Sequence, residues 1–193
     1  MKQRHVFFAL IFVLLLGVSC ERKKNLYEEF ETDPKEQKME AAKKFALIEW
    51  QELIPLENRS DDLLEKLQQE LAQYEDYDPK AIEVYEKYSA DFSNAPTNTA
   101  INESGIRLEG YIAPLEVING KVSEFLLVPY FGACIHYPPP PLNQTIMVKL
   151  APGFEILSEQ VYDSFIVGGV IKISKQATDI GSAGYLIEDA IIL

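Results

Sequence analysis

The stretch IRLEGYIAPLEVINGKVSEFLLVPYFGACI, residues 106–135, decides the fold. It is rich in β-branched and aromatic residues, and it is interrupted near its middle by Asn119-Gly120. That dipeptide suits a two-residue type I′ hairpin turn, in which both central residues need positive φ. The reading is two long strands, residues 106–118 and 121–135, folded back on each other. Pro114 removes a ladder donor, so the first strand is expected to be bulged or to lie at an edge there.

Downstream, β-branched runs separated by turn residues predict three further strands, residues 145–150, 164–174 and 184–192, with a short connector over 152–162. Five antiparallel strands with one long hairpin predict a small, partly open barrel of the oligonucleotide/oligosaccharide-binding (OB) type. An SH3-like barrel or a small β-sandwich fits the same strand count. Barrels of this kind host many functions, so the site must be argued from its residues.

Upstream, residues 26–95 are charged and helix-favouring, with apolar positions at helical spacing in FALIEWQELI (45–54), DDLLEKLQQELAQY (61–74) and AIEVYEKYSADF (81–92). Pro55, Pro79 and Pro96 punctuate them. Ser60 with Asp61 is expected to cap the second helix, and Asp78-Pro79 to start the third. Trp50, Leu53 and Ile54 are the face expected to dock on the rest. Residues 96–105 read as a linker. The expected class is α+β: a helical N-terminal segment packed on the five-stranded antiparallel barrel of residues 106–193.

The first twenty residues speak of place. Lys2, Arg4 and His5 precede an apolar run from Val6 to Val18, which is the length of a signal-peptide core and too short for an ordinary membrane span. The run ends GVSC, a small-residue cleavage site directly before Cys20. This resembles the lipobox of bacterial lipoproteins, although Gly17 stands where a leucine is usual. The expectation is a signal peptide over 1–19, acylation of Cys20, a polar tether over 20–25, and a membrane-anchored life in the periplasm or cell envelope. Simple secretion and an uncleaved anchor are the alternatives.

The full chain of 193 residues carries a formal charge of −12. The leader before Cys20 holds two basic residues and no acidic one, so the remainder stands at −14. Nucleic acid and anionic headgroups need a basic surface that displaces counterions, and so nucleic acid is excluded as a partner of the domain. With Cys20 committed to lipid, Cys134 has no intramolecular partner for a disulfide.

Chemistry concentrates in FGACIHYPPPPLNQ, residues 131–144, which holds Cys134 and His136, the only cysteine and histidine beyond Cys20. On an extended strand the two would share one face, with Phe131, Ala133 and Ile135 on the other. A thiolate and an imidazole at i and i+2 form a half-site for a soft or borderline metal, zinc or copper. Glu116 is a further carboxylate, but the hairpin places it near the turn and far from Cys134. Neighbours on one strand face point in parallel, which suits convergence on a third body better than a nucleophile–base pair. The structural alternative is a buried cysteine and a hydrogen-bonded histidine that stabilise the barrel. Pro138 to Pro141 force polyproline II, read either as a rigid wall beside the site or as a stiff crossover. Tyr130, Tyr137, Asn143 and Gln144 are candidate ligand or partner contacts. Asn143 and Gln144 also suit a role as caps of the turn after the prolines.

Trp50 with Leu53 and Pro55, GYIAPLE (110–116), FLLVPYFGACIHYPPPPLNQ (125–144) and GYLIEDA (184–190) together resemble the bacterial exported family catalogued as domain of unknown function 3299. The resemblance runs from Trp50 to Ile192. It implies an exported or lipid-anchored domain without an assigned reaction, in a family associated with transporter gene clusters that include metal-uptake systems. The function expected from residues and resemblance together is a non-catalytic binding or accessory protein that handles zinc or copper with components of an envelope ABC-type transporter. An interaction module that docks a partner through the proline block is the alternative, and a thiol-dependent enzyme comes third.

Overall fold

The computed structural model describes Glu40 and residues 42–61, 63–75, 78–132 and 139–193. All of them belong to one compact unit, Lys38–Leu193. Cys20, the leader and tether, and Cys134, His136 and Tyr137 lie outside the described residues, as do the side chains of Ser60 and Asp61.

In chain order the strands are β1 (Ala46–Leu47), β2 (Ser104–Pro114), β3 (Lys121–Val122), β4 (Glu124–Val128), β5 (Ile146–Leu150), β6 (Ile156–Leu157), β7 (Ser164–Thr178) and β8 (Gly181–Ile192). The α-helices are α1 (Leu63–Leu71) and α2 (Pro79–Ser93). Strands β2, β4, β5, β8 and β7 follow one another around a ring, and β7 pairs back onto β2 to close it. The five expected strands are therefore the five staves of the barrel. Their order has the OB pattern, with β8 inserted between β5 and β7.

One detail of the expectation is corrected. β5 pairs with β8 in parallel, and the other four contacts of the ring are antiparallel. The reason is arithmetic: directions cannot alternate all the way round a ring with an odd number of strands. The closure also needs a local irregularity. Asp189 sits at φ 51°, where register shifts break the ladders of β8 with both β5 and β7. A bulge of this kind bends the strand and tightens its twist.

The hairpin is as read. Asn119 and Gly120 have φ of 52° and 76°, and Ile118 and Lys121 exchange backbone hydrogen bonds of 2.9 and 3.0 Å. Pro114 lies beyond the reach of β7, whose pairing ends at Tyr111, so only β4 flanks it. The missing N–H thus falls at an edge. The second strand is shorter than expected. It leaves the sheet at Val128, where Pro129 follows, and does not continue to residue 135. In place of a longer pairing with β2, Lys121 and Val122 pair with β6 from the connector.

The helical expectation holds for α1 and α2 and fails for FALIEWQELI. Ala46–Leu47 form a parallel strand on β2, and Trp50–Leu53 form a single 3₁₀ turn. Tertiary contact overrides local propensity here. The edge of β2 that takes β4 at Tyr111–Pro114 is open at Ile106 and Arg107, and β1 fills it. Asp78 caps α2 by accepting from the Lys80 N–H at 2.9 Å, with Pro79 as the first helical residue. The two helices close on their own small core of Leu67, Val84 and Phe92.

Inside the barrel, Leu108, Phe125, Leu127, Ile146, Val148, Val167, Ile171 and Ile187 are almost wholly buried. Leu53 joins this cluster from the N-terminal segment with no exposed surface, and Ile54 is buried beside it. The docking face expected from Trp50, Leu53 and Ile54 is the one observed.

Candidate functional site

The site region begins where β4 ends. Along β4 the chain buries both of its faces. Phe125 and Leu127 point into the barrel, while Leu126 and Val128 point outward into a second cluster with Ala113 and Ala183. Tyr111, Leu115, Tyr130, Met147 and Ile180 pack over that outer cluster. The outer face of the second and third staves is the surface on which OB barrels commonly take oligonucleotides or oligosaccharides. Here the protein's own side chains cover it. The loop between the last two staves is reduced to Asp179 and Ile180, with Thr178 paired to Gly181.

The chain then crosses outside the barrel. Phe131 packs edge-on to Tyr111 with ring centroids 6.0 Å apart, and against Tyr162 at 5.9 Å. Gly132 follows at φ 78°, in the left-handed region that glycine adopts without strain. Phe131 is 50 % exposed and Tyr162 67 %, so two large aromatic surfaces meet solvent at the mouth of the block. Phe131 was expected on an apolar, core-facing side; Tyr162 had no signal in the sequence.

On the far side of residues 133–138 the chain is held tightly. Pro140, Pro141, Leu142, Asn143, Gln144 and Thr145 are all buried. The Thr145 hydroxyl and the Gln144 N–H both donate to the Pro141 carbonyl, at 3.2 and 2.8 Å. Asn143 donates its side-chain N–H to the Pro96 carbonyl at 2.9 Å. It therefore ties the post-proline turn to the linker, a longer reach than the local cap expected of it. Gly184 makes this packing possible, because a Cβ there would lie 2.6 Å from the Leu142 carbonyl oxygen. Pro139 and Pro140 line an open cleft of about 230 Å³ against Phe92 of α2 and the β7–β8 hairpin.

Of the site residues read from sequence, Tyr130 lies half-buried on the outer cluster and Asn143 and Gln144 lie buried after the prolines. Glu116 is exposed near the hairpin turn, as its place in the strand implied. Cys134, His136 and Tyr137 belong to the segment between these two anchored ends. Among the described residues there is no group of three or more His, Cys, Asp or Glu placed to hold a metal ion. No described helix is long and apolar enough to cross a membrane.

A buried polar node fastens the N-terminal segment to the barrel. The Tyr185 hydroxyl donates to the Leu53 carbonyl at 2.5 Å and accepts from the Asn98 N–H at 2.6 Å. Asn98 in turn donates its side-chain N–H to the Glu52 carbonyl at 2.7 Å and caps the short turn Thr99–Ile101. Burial disfavours the phenolate and pushes Tyr185 up to about 12, against a smaller opposing effect of the Asn98 N–H.

Fold and site together define a closed OB-type barrel with its usual ligand face covered and its most distinctive block carried over the outside. Residues 50–193 match the family described as protein of unknown function (DUF3299), and the chain belongs to that family. It is also similar to the crystal structure of a DUF3299 family protein from Pseudomonas aeruginosa PAO1, at 30% identity over 77% of this chain and 96% of that one, with a TM-score of 0.54. No curated protein matches it.

Proposed function

We propose that this protein is an exported, lipid-anchored, non-catalytic binding or accessory protein of the cell envelope. In this reading Cys134 and His136 take zinc or copper on behalf of an ABC-type transporter. The observation that supports it most is the anchoring of the chain on both sides of those residues. Phe131 is stacked on Tyr111, and everything from Pro140 to Thr145 is buried. A short segment tethered at two fixed ends loses little further freedom when a ligand orders it, and that favours binding. Anchoring through Cys20 is supported by the GVSC sequence alone.

Two measurements test this reading. Competition of Zn²⁺ and Cu⁺ against a chelating dye should give one site per chain that Cys134→Ser and His136→Ala each abolish. Membrane fractionation should find the chain with the membranes and the Cys20→Ser variant released or unprocessed.

One observation favours the second reading, a module that docks a partner protein. The exposed Phe131–Tyr162 pair sits at the mouth of the block, and exposed aromatic contacts are common at interfaces. Under that reading, substitutions at Pro138 to Pro141 and at Phe131 weaken partner capture, while Cys134→Ser and His136→Ala leave it unchanged.

A further inference from the structure

We propose that the cleft between the helical hairpin and the barrel is a second, separate binding site, and that it takes a small primary ammonium on a short apolar stem. The cleft holds about 240 Å³, with Asn58, Asp91, Asn94 and Asn143 on its walls and Ile54 and Leu63 among its apolar lining.

Asn143 is the key residue. It is only 5 % exposed, and its side-chain N–H is committed to the Pro96 carbonyl. That bond fixes the orientation of the amide, and its Oδ1 accepts nothing among the described residues. A buried amide oxygen without a donor is costly, so a ligand that brings one is favoured. Asn94 repeats the arrangement, since its N–H donates to the Ala90 carbonyl at 2.8 Å and its oxygen remains. Asp91 adds a carboxylate with no ion pair among the described residues. The cations nearest in sequence to the cleft are turned to backbone carbonyls: Arg59 to Ile54 at 3.3 Å and Lys175 to Ser93 at 3.1 Å.

The walls therefore offer oxygen acceptors and one negative charge above an apolar floor. A primary ammonium brings three donors, one for each of these oxygens, and one positive charge. The amide of Asn58 adapts to either role. The volume lies below the roughly 300–1,000 Å³ of pockets for drug-sized ligands, so the stem is short. The chain's formal charge of −12 concentrates such cations near the surface. Nothing in this argument involves Cys134 or His136, so the two sites stand or fall separately.

The test is a titration of the full chain in detergent with n-butylammonium, followed by NMR of backbone and asparagine side-chain amides. 1-Butanol and butyrate serve as neutral and anionic matches of the same stem. The expected result is saturable binding of n-butylammonium that shifts the amides of Asn58, Asn94 and Asn143. Asp91→Asn should weaken it at least tenfold with the Trp50 fluorescence unchanged, Asn58→Ala should weaken it less, and Glu159→Gln should leave it alone. Equal binding of 1-butanol, undiminished binding to Asp91→Asn, or no saturable shift in the cleft would overturn the proposal.

Discussion

Tyr185 and Leu53 are 132 positions apart in the chain and joined by a 2.5 Å hydrogen bond from a phenol with no exposed surface to a backbone carbonyl. The bond links β8 to the 3₁₀ turn of the N-terminal segment, and the Asn98 N–H completes it from the linker. Three parts of the chain thus share one buried oxygen. Tyr185→Phe keeps the ring and leaves a buried carbonyl and a buried N–H without that partner, at a cost of about 1–3 kcal/mol. Urea unfolding of wild type and variant measures it. An unchanged midpoint would mean that the node is not what holds the segment.

The same phenol makes stability fall at high pH. Its proton is held more tightly in the folded state, with a value of about 12, than in the unfolded chain, at about 10. The contribution is complete below pH about 10 and is lost as pH rises through about 12, amounting to roughly 2–3 kcal/mol over that window. Stability curves between pH 9 and 12 should drop more steeply in wild type than in Tyr185→Phe. Parallel curves would remove Tyr185 as the cause.

Gly110 lies under Trp50, whose indole N–H donates to the Glu109 carbonyl at 2.8 Å. A Cβ at Gly110 would meet the Val128 carbonyl oxygen at 2.7 Å and Trp50 Cζ2 at 2.8 Å. Overpacking of this kind costs about 1–3 kcal/mol. Gly110→Ala should therefore destabilise the fold and red-shift the emission of Trp50, the one tryptophan in the chain. Native emission with native stability would contradict the close approach.

Asp78 is the side-chain cap of α2, and Asp78→Ala should cost about 1 kcal/mol by chemical denaturation. Asp78→Asn keeps an accepting oxygen and should recover most of that. If the two variants are equally unstable, the cap is not the source of the effect.

The parts of this fold that can be read from the sequence are those set by neighbours in the chain. Asn119-Gly120 announces its turn because positive φ at two successive residues restricts residue choice, and Asp78-Pro79 announces a helix start for a similar local reason. FALIEWQELI misleads because its helical spacing is genuine while its conformation is imposed by an open edge of β2 some sixty residues away. The parallel β5–β8 pair depends on how the ring closes, which no single strand reveals. The candidate site divides in the same way. Cys134 and His136 stand out by composition, whereas the ammonium cleft draws Ile54, Asp91 and Asn143 from three distant segments, and Asn143 shows its free oxygen only once Pro96 is beside it.

The central claim is a metal site made by Cys134 and His136, and the most direct measurement is retained metal. Residues 21–193, their Cys134→Ser variant and their His136→Ala variant would be loaded with Zn²⁺ or Cu⁺, dialysed, and weighed by native mass spectrometry. The account predicts one retained ion per wild-type chain and none in either variant, with all three equally folded. A folded wild type that keeps no ion, or variants that keep as much as the wild type, would contradict it.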